Sequence, residues 1–169
     1  MTSADVLTDA FERIREVVHE AVDGLGEDEL AHRIDKGANS IAWLIWHLTR
    51  VQDDHISEVA DVEQVWTARR WYDRFALSID ARATGYGDRS ADVAVIRAPA
   101  ELLVGYYDAV HEQTLRFVRK LGDSDLERIV DIRWDPPVTL GVRLVSVISD
   151  DLQHAGQAAF VRGVIERTT

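Results

Sequence analysis

The 169-residue chain is 46% hydrophobic and 29% charged, the balance of an ordinary globular protein, and its length predicts a single domain over residues 1–169. Its 19 basic and 30 acidic side chains give a formal net charge of −11, and a surface so acidic repels phosphate groups, so we expect neither nucleic acid nor a membrane as partner. The chain contains no cysteine, which excludes disulfides and any thiolate nucleophile of its own.

The first half of the chain predicts two long helices. Apolar residues recur at helical spacing over residues 4–24, and Gly24 ends that segment. The second helix is predicted over residues 39–59, where Asn39 or Ser40 can cap its N-terminus. The stretch EQVWTARRWYDRFALSID predicts one or two short helical turns, and the Gly-rich, polar residues 80–97 predict a long exposed loop, either a lid or a mobile segment.

The second half predicts two more long helices. The third helix is expected over residues 99–121, because Pro99 is favoured in a first turn, and the fourth over residues 140–165. Between them, DSDLERIV predicts a short helical piece and RWDPPVTLG a rigid connection, and no segment of the chain predicts a sustained strand. These elements predict an all-α fold, a four-helix bundle with one long crossover loop.

Polar side chains on the second and fourth helices indicate where chemistry could occur. Asp150 and His154 are four residues apart, so both project from one helix face, and His47 lies on an apolar helix. Two imidazoles and one carboxylate with open positions are typical of catalytic zinc and non-haem iron sites. The alternatives are a hydrogen-bonded core histidine and a solvated helix face, and Asp151 is a competing carboxylate about 100° further round the helix.

The sequence predicts a role at this site less strongly for other residues. Arg50, Asp54 and Gln157 could support the ligands or touch a substrate, although a surface ion pair between Arg50 and Asp54 and helix packing by Gln157 are simpler explanations. The five tryptophans are expected mostly in the core, with Trp66 or Trp134 as possible pocket walls.

The patterns SIAWLIWHLTRVQDDH and DDLQHAGQAAFVRG, with the intervening WDPPVTLGVRL, resemble the DinB-like (damage-inducible or S-transferase-like) superfamily, and most closely its actinobacterial mycothiol-dependent branch. The resemblance spans essentially the whole chain and implies a bundle of up-down-down-up topology. It also implies a metal triad, which falls here on His47, Asp150 and His154. The family pair on the fourth helix is Glu–x3–His or His–x3–His, so Asp150 departs from that pattern.

The activity that the resemblance implies is transfer of a low-molecular-weight thiol of the mycothiol type to an electrophilic small molecule. A divalent metal, zinc first and nickel, manganese or iron as alternatives, would bind the sulfur and lower the pKa of the thiol, making the thiolate the nucleophile. Two other functions remain open at this point: a non-catalytic stress-response binding or assembly module, and a metal-dependent isomerase or hydrolase on the same scaffold.

Location and assembly are the remaining expectations. The N-terminus lacks a basic stretch followed by an apolar core, and no segment approaches the roughly 20 apolar residues of a spanning helix, so we expect a cytoplasmic protein. A homodimer is expected because members of the family often pair.

Overall fold

The computed structural model describes residues 1–168 and is almost entirely helical. Four long helices form its frame: α1 Ser3–Val22, α3 Ile41–Ala60, α7 Ala100–Val118 and α8 Leu140–Thr168. The short helices are α2 Glu27–Leu30, α4 Val65–Ala68, α5 Trp71–Phe75 and α6 Ser90–Val93. Ser40 caps α3, since its hydroxyl accepts a hydrogen bond from the Trp43 backbone N–H at 3.2 Å. None of the helices within residues 1–168 is long and apolar enough to cross a membrane.

The long helices form the predicted four-helix bundle. Both α1 and α3 pack against α7 and α8, which places α1 and α3 diagonally opposite each other. Inter-helix hydrogen bonds show the directions: α3 and α7 run parallel, with Arg50 bonded to Tyr106 and Gln52 bonded to Thr114. Helices α1 and α8 also run parallel, since Arg162 bonds to the last turn of α1. Helix α1 runs antiparallel to α7, because His19 pairs with Asp108 whereas Glu12 pairs with His111, so the chain runs up, down, down and up.

Residues 80–97, which were predicted to form a long exposed loop, are partly helical and partly buried. Instead of one exposed loop, this stretch contains helix α6 and buries Gly85, Val93 and Ile96 against the bundle. The polar and glycine content of the stretch misled the prediction, because those residues serve turns that lie against α3. Residues 61–99 therefore form a cover over one side of the bundle.

The connection between α7 and α8 contains the short helical piece that the sequence predicted and adds a small hairpin. It holds a 3₁₀ turn, Asp123–Glu127, and two short antiparallel strands, β1 Ile129–Asp131 and β2 Val138–Thr139, where no sustained strand was predicted. Trp134 lies on the hairpin loop between these strands and is 67% exposed. The two strands together have five residues, too few for sequence periodicity to reveal them.

A buried polar network fastens this cover to α3. Asp53 accepts hydrogen bonds from the backbone N–H groups of Val65 and Trp66, at 2.9 and 2.8 Å, and so holds the start of α4. The hydroxyl of Tyr106 on α7 donates to the same carboxylate at 2.8 Å. Arg50, which is also fully buried, lies 3.7 Å from Asp53 and donates from Nε to the carbonyl of Ala83 at 3.0 Å. One pair of opposite charges thus joins four parts of the chain.

Replacing Asp53 by Asn tests this network. The substitution leaves the buried Arg50 charge uncompensated, so we expect the free energy of unfolding to fall by about 3–5 kcal/mol in urea denaturation. Asp54→Asn is the matched control: Asp54 is partly exposed and bonds to the Gln64 side chain, and we expect a loss below about 1 kcal/mol. Equal losses for the two variants would contradict the assigned role.

Candidate metal centre

Helices α3 and α8 bring the three predicted ligands together. One ligand atom each from His47, Asp150 and His154 lies within 4.8 Å of the other two. His47 is buried and the other two are partly buried, so the group lies at the edge of the bundle with one side open. Ligand atoms about 2.1 Å from a tetrahedral zinc ion lie about 3.4 Å apart, so inward movements of the order of 1 Å would close this set around an ion.

Each imidazole is oriented by a hydrogen bond at Nδ1. His47 donates from Nδ1 to the main-chain carbonyl of Thr84 at 2.5 Å, and His154 Nδ1 lies 3.2 Å from the side-chain oxygen of Gln157. In the neutral form of both residues Nε2 then carries no proton, and in His154 this atom faces the carboxylate of Asp150. A histidine that ligates a metal through one nitrogen ordinarily donates its other N–H to such an oxygen.

Charge favours an ionised carboxylate next to the imidazoles. Asp150 Oδ1 lies 3.6 Å from His154 Nε2. Burial acts to raise the pKa of Asp150, but the hydrogen bond to His154 and the charges of the two histidines outweigh it, and the pKa is lowered. The hydrogen bond to Asp150 raises the pKa of His154, whereas burial lowers the pKa of His47.

Asp150 and Asp151 occupy different environments. Asp151, weighed from the sequence as the competing ligand, points into the core, where it is fully buried and its carboxylate oxygens lack a hydrogen-bond partner among residues 1–168. Burial, followed by the charge of Asp150, raises the pKa of Asp151 well above its usual range. Asp150 lies at the edge of the bundle beside His154.

The cover segment completes the surroundings of His47. Trp43 stacks on the imidazole with ring centroids 4.5 Å apart, and Tyr86 meets it edge-on at 5.4 Å. Gly85 lies directly against the ring. The sequence analysis missed Thr84, Gly85 and Tyr86, although two glycines flanking one tyrosine in TGYGD were a signal of a shaped turn.

The three supporting residues have different positions. Gln157 contacts His154 directly, as described above. Arg50 reaches the site through the cover, because it binds Ala83 next to Thr84, and its charge pairs with Asp53 and not with Asp54 in a surface ion pair. Asp54 accepts a hydrogen bond from Gln64 at 2.7 Å. Of the three, only Gln157 touches a candidate ligand.

Two cavities adjoin the three ligands, since Gln157, which bonds to His154, lines one and Tyr86, which contacts His47, lines the other. One is an apolar groove of about 580 Å³ between α8 and the segment before α3, whose lining includes Leu44, Leu152 and Phe160. The other is a polar pocket of about 470 Å³, lined by His55, Tyr86, Asp131, Arg133, Trp134 and Arg143. Trp134 thus walls a pocket, as the sequence allowed, whereas Trp66 is fully buried in the core.

The fold and the site define the class of protein: a DinB-like helical bundle in which the second and fourth long helices bring two imidazoles and a carboxylate together. A scan against protein families matches residues 6–167 to the mycothiol-S-transferase family, and the chain belongs to that family. The crystal structure of a conserved protein from Enterococcus faecalis is similar, with a TM-score of 0.91, 27% sequence identity and 98% of each chain covered. A search of curated proteins found no significant match.

Gly85 offers a test of how tightly the cover holds His47. A Cβ atom at Gly85 would lie 2.5 Å from His47 Nδ1 and 3.1 Å from Trp43, so Gly85→Ala must displace the imidazole or the turn. Gly87→Ala is the matched control, because its φ is also positive, at +76°, but its added Cβ meets open space.

We expect Gly87→Ala to cost about 1–2 kcal/mol of unfolding free energy from backbone strain alone, and Gly85→Ala to cost about 1–3 kcal/mol more. Urea denaturation measures both losses, and the NMR signal of the His47 Nδ1 proton reports whether the bond to Thr84 survives. An unchanged His47 signal in Gly85→Ala would show that the turn does not position the ring.

Proposed function

We propose that this protein transfers a low-molecular-weight thiol of the mycothiol type to an electrophilic small molecule, at a divalent metal held by His47, Asp150 and His154. The observation that carries the proposal is the convergence of three ligand atoms, from two imidazoles that are each oriented through Nδ1 and one carboxylate. Membership of the mycothiol-S-transferase family supports the reaction class.

The residues present fit a metal such as zinc. Asp150 Oδ2 is buried and has no hydrogen-bond partner among residues 1–168, so it can accept a cation at little cost. Two neutral imidazoles and one carboxylate would leave a bound dication with one net positive charge and at least one open position. Such a metal supplies one form of chemistry: it binds the thiol sulfur and lowers the pKa of the thiol so that thiolate is present at neutral pH.

The chain's own residues position the reactants. The hydrogen bond from His47 Nδ1 to the Thr84 carbonyl fixes the plane of the His47 ring, and the contact with Gln157 does the same for His154. Because the chain contains no cysteine, the nucleophilic sulfur must come from the cosubstrate. The partly buried setting of Asp150 and His154 leaves that side of the site open to a thiol and an electrophile.

The proposal extends to zinc as the metal, to the cytoplasm, where low-molecular-weight thiols are kept reduced, and to a homodimer. Support for the dimer is the outer face of α8, where Val145, Leu152 and Phe160 are exposed and no exposed residue between 142 and 160 is charged. Two copies of charge −11 would meet with least repulsion there.

Sedimentation equilibrium should show a dimer that Phe160→Glu dissociates.

Metal content tests the site itself. After reconstitution with zinc and removal of excess, we expect about one ion per chain in the wild type by mass spectrometry. His47→Ala, Asp150→Asn and His154→Ala should each retain less than about a tenth of that amount, because three ligands cannot be reduced to two without a large loss of affinity. His32→Ala, on an exposed histidine outside the cluster, should bind as the wild type does. Unchanged zinc content in the three variants would exclude this site.

A turnover assay separates thiol transfer from the other functions. With a mycothiol-type thiol and monochlorobimane, we expect a thioether product that contains the thiol, formed by the wild type and lost in His154→Ala. An isomerase or hydrolase would convert its substrate without incorporating the thiol. A binding or assembly module would show no turnover with any thiol, and either result would contradict the transferase proposal.

A further inference from the structure

The polar pocket beside the three ligands carries an excess of positive charge in an acidic protein. Its two arginines share one carboxylate: Arg133 and Arg143 donate to the same oxygen of Asp131, at 2.8 and 3.0 Å. Hydrogen bonds from Arg133 hold the pKa of Asp131 far below its usual range, so Asp131 is ionised. Two guanidinium groups against one carboxylate leave one positive charge in a chain whose net charge is −11.

Among the residues that line the pocket, no other charge opposes this excess. His55 accepts from Arg143 at Nδ1, at 3.2 Å, and burial lowers the pKa of His55, so it is neutral. The neighbouring carboxylates Asp54, Asp150 and Glu58, whose charges reach His55, lie outside the lining. The excess charge therefore resides on the two arginines, of which Arg133 is the accessible one, with 75% of its side chain exposed.

Aromatic surface accompanies the charge. Trp134 and Tyr86 both line the pocket, come from separate segments, and are 67% and 62% exposed. Exposed apolar surface that is gathered in one place, unlike single scattered residues, marks binding sites. Tyr86 also contacts His47, so the pocket adjoins the three ligands.

We propose that this pocket binds a small organic acid, with its carboxylate on Arg133 and Arg143 and its planar body against Trp134 and Tyr86. A single excess charge matches a carboxylate better than a dianionic phosphate, and a guanidinium group pairs with a carboxylate through two parallel hydrogen bonds. Taken with the proposed function, on which this step rests, the electrophile is a carboxylic acid of one of two kinds. It is either an unsaturated acid, whose double bond takes the thiolate on one carbon and a proton on the other, or an aromatic acid that releases halide as the thioether forms.

Binding of sodium benzoate tests the pocket without any turnover. The full-length protein is titrated while the indole N–H signal of Trp134, assigned with Trp134→Phe, is followed by NMR. We expect saturable binding that shifts this signal, and binding at least about fivefold weaker for benzamide, which has the same ring without the charge. Equal binding of benzoate and benzamide would overturn the proposal.

Arg82 provides a matched control for Arg133. Each arginine follows an aspartate by two residues and bonds to it through both backbone N–H and Nε, but Arg82 lies outside the pocket lining. Arg133→Gln should weaken benzoate binding about fivefold to tenfold, whereas Arg82→Gln should leave it unchanged. If both variants weakened benzoate binding equally, the cause would be the loss of a positive charge anywhere on the protein, and the proposal would be overturned.

The variant His154→Ala separates this proposal from the metal centre. Because His154 does not line the pocket, benzoate should bind the variant as it binds the wild type, even if zinc no longer binds. Loss of benzoate binding in His154→Ala would mean that the carboxylate binds at the metal, and the pocket proposal would fail. If benzoate binds normally but the thioether assay fails, the pocket stands and the transferase function does not.

Discussion

The buried pair of Arg50 and Asp53 is the interaction on which the rest of the structure depends. Both side chains are almost completely withdrawn from water, which is costly unless every charge is compensated. The compensation comes from parts of the chain that would otherwise be loose: Asp53 takes the first backbone N–H groups of α4, and Arg50 takes the carbonyl of Ala83. Satisfying two charges on α3 thus docks the long segment between α3 and α7.

The docked segment also orients a candidate metal ligand, through two adjacent residues. Ala83 is held by Arg50, and its neighbour Thr84 holds His47, so the imidazole of a candidate ligand is oriented from the same helix that carries it. The site then lies between a well-packed helix pair and an irregular cover. A polar pocket and an apolar groove, each lined by a residue that contacts a candidate ligand, suit a reaction between two unlike small molecules.

Much of this arrangement could be predicted from the sequence. Helical periodicity depends on neighbours three and four residues apart, so the four long helices were readable to within a few residues. The same local geometry paired Asp150 with His154, and the apolar surroundings of His47 on the second helix made it the candidate third ligand. Helical periodicity could not distinguish the depth of Asp150 from that of Asp151, because adjacent helical positions differ by only about 100° and the packing partners decide which one is buried.

The sequence by itself determined the helices, the absence of thiol chemistry from the chain's own side chains, and the three residues that converge as candidate ligands. The tertiary structure alone decided what surrounds them. Thr84 meets His47 across 37 residues and Arg143 meets His55 across 88, contacts that no local pattern encodes. The position of an irregular segment follows from where its backbone groups and charges can be satisfied, and those partners exist only once the bundle has formed.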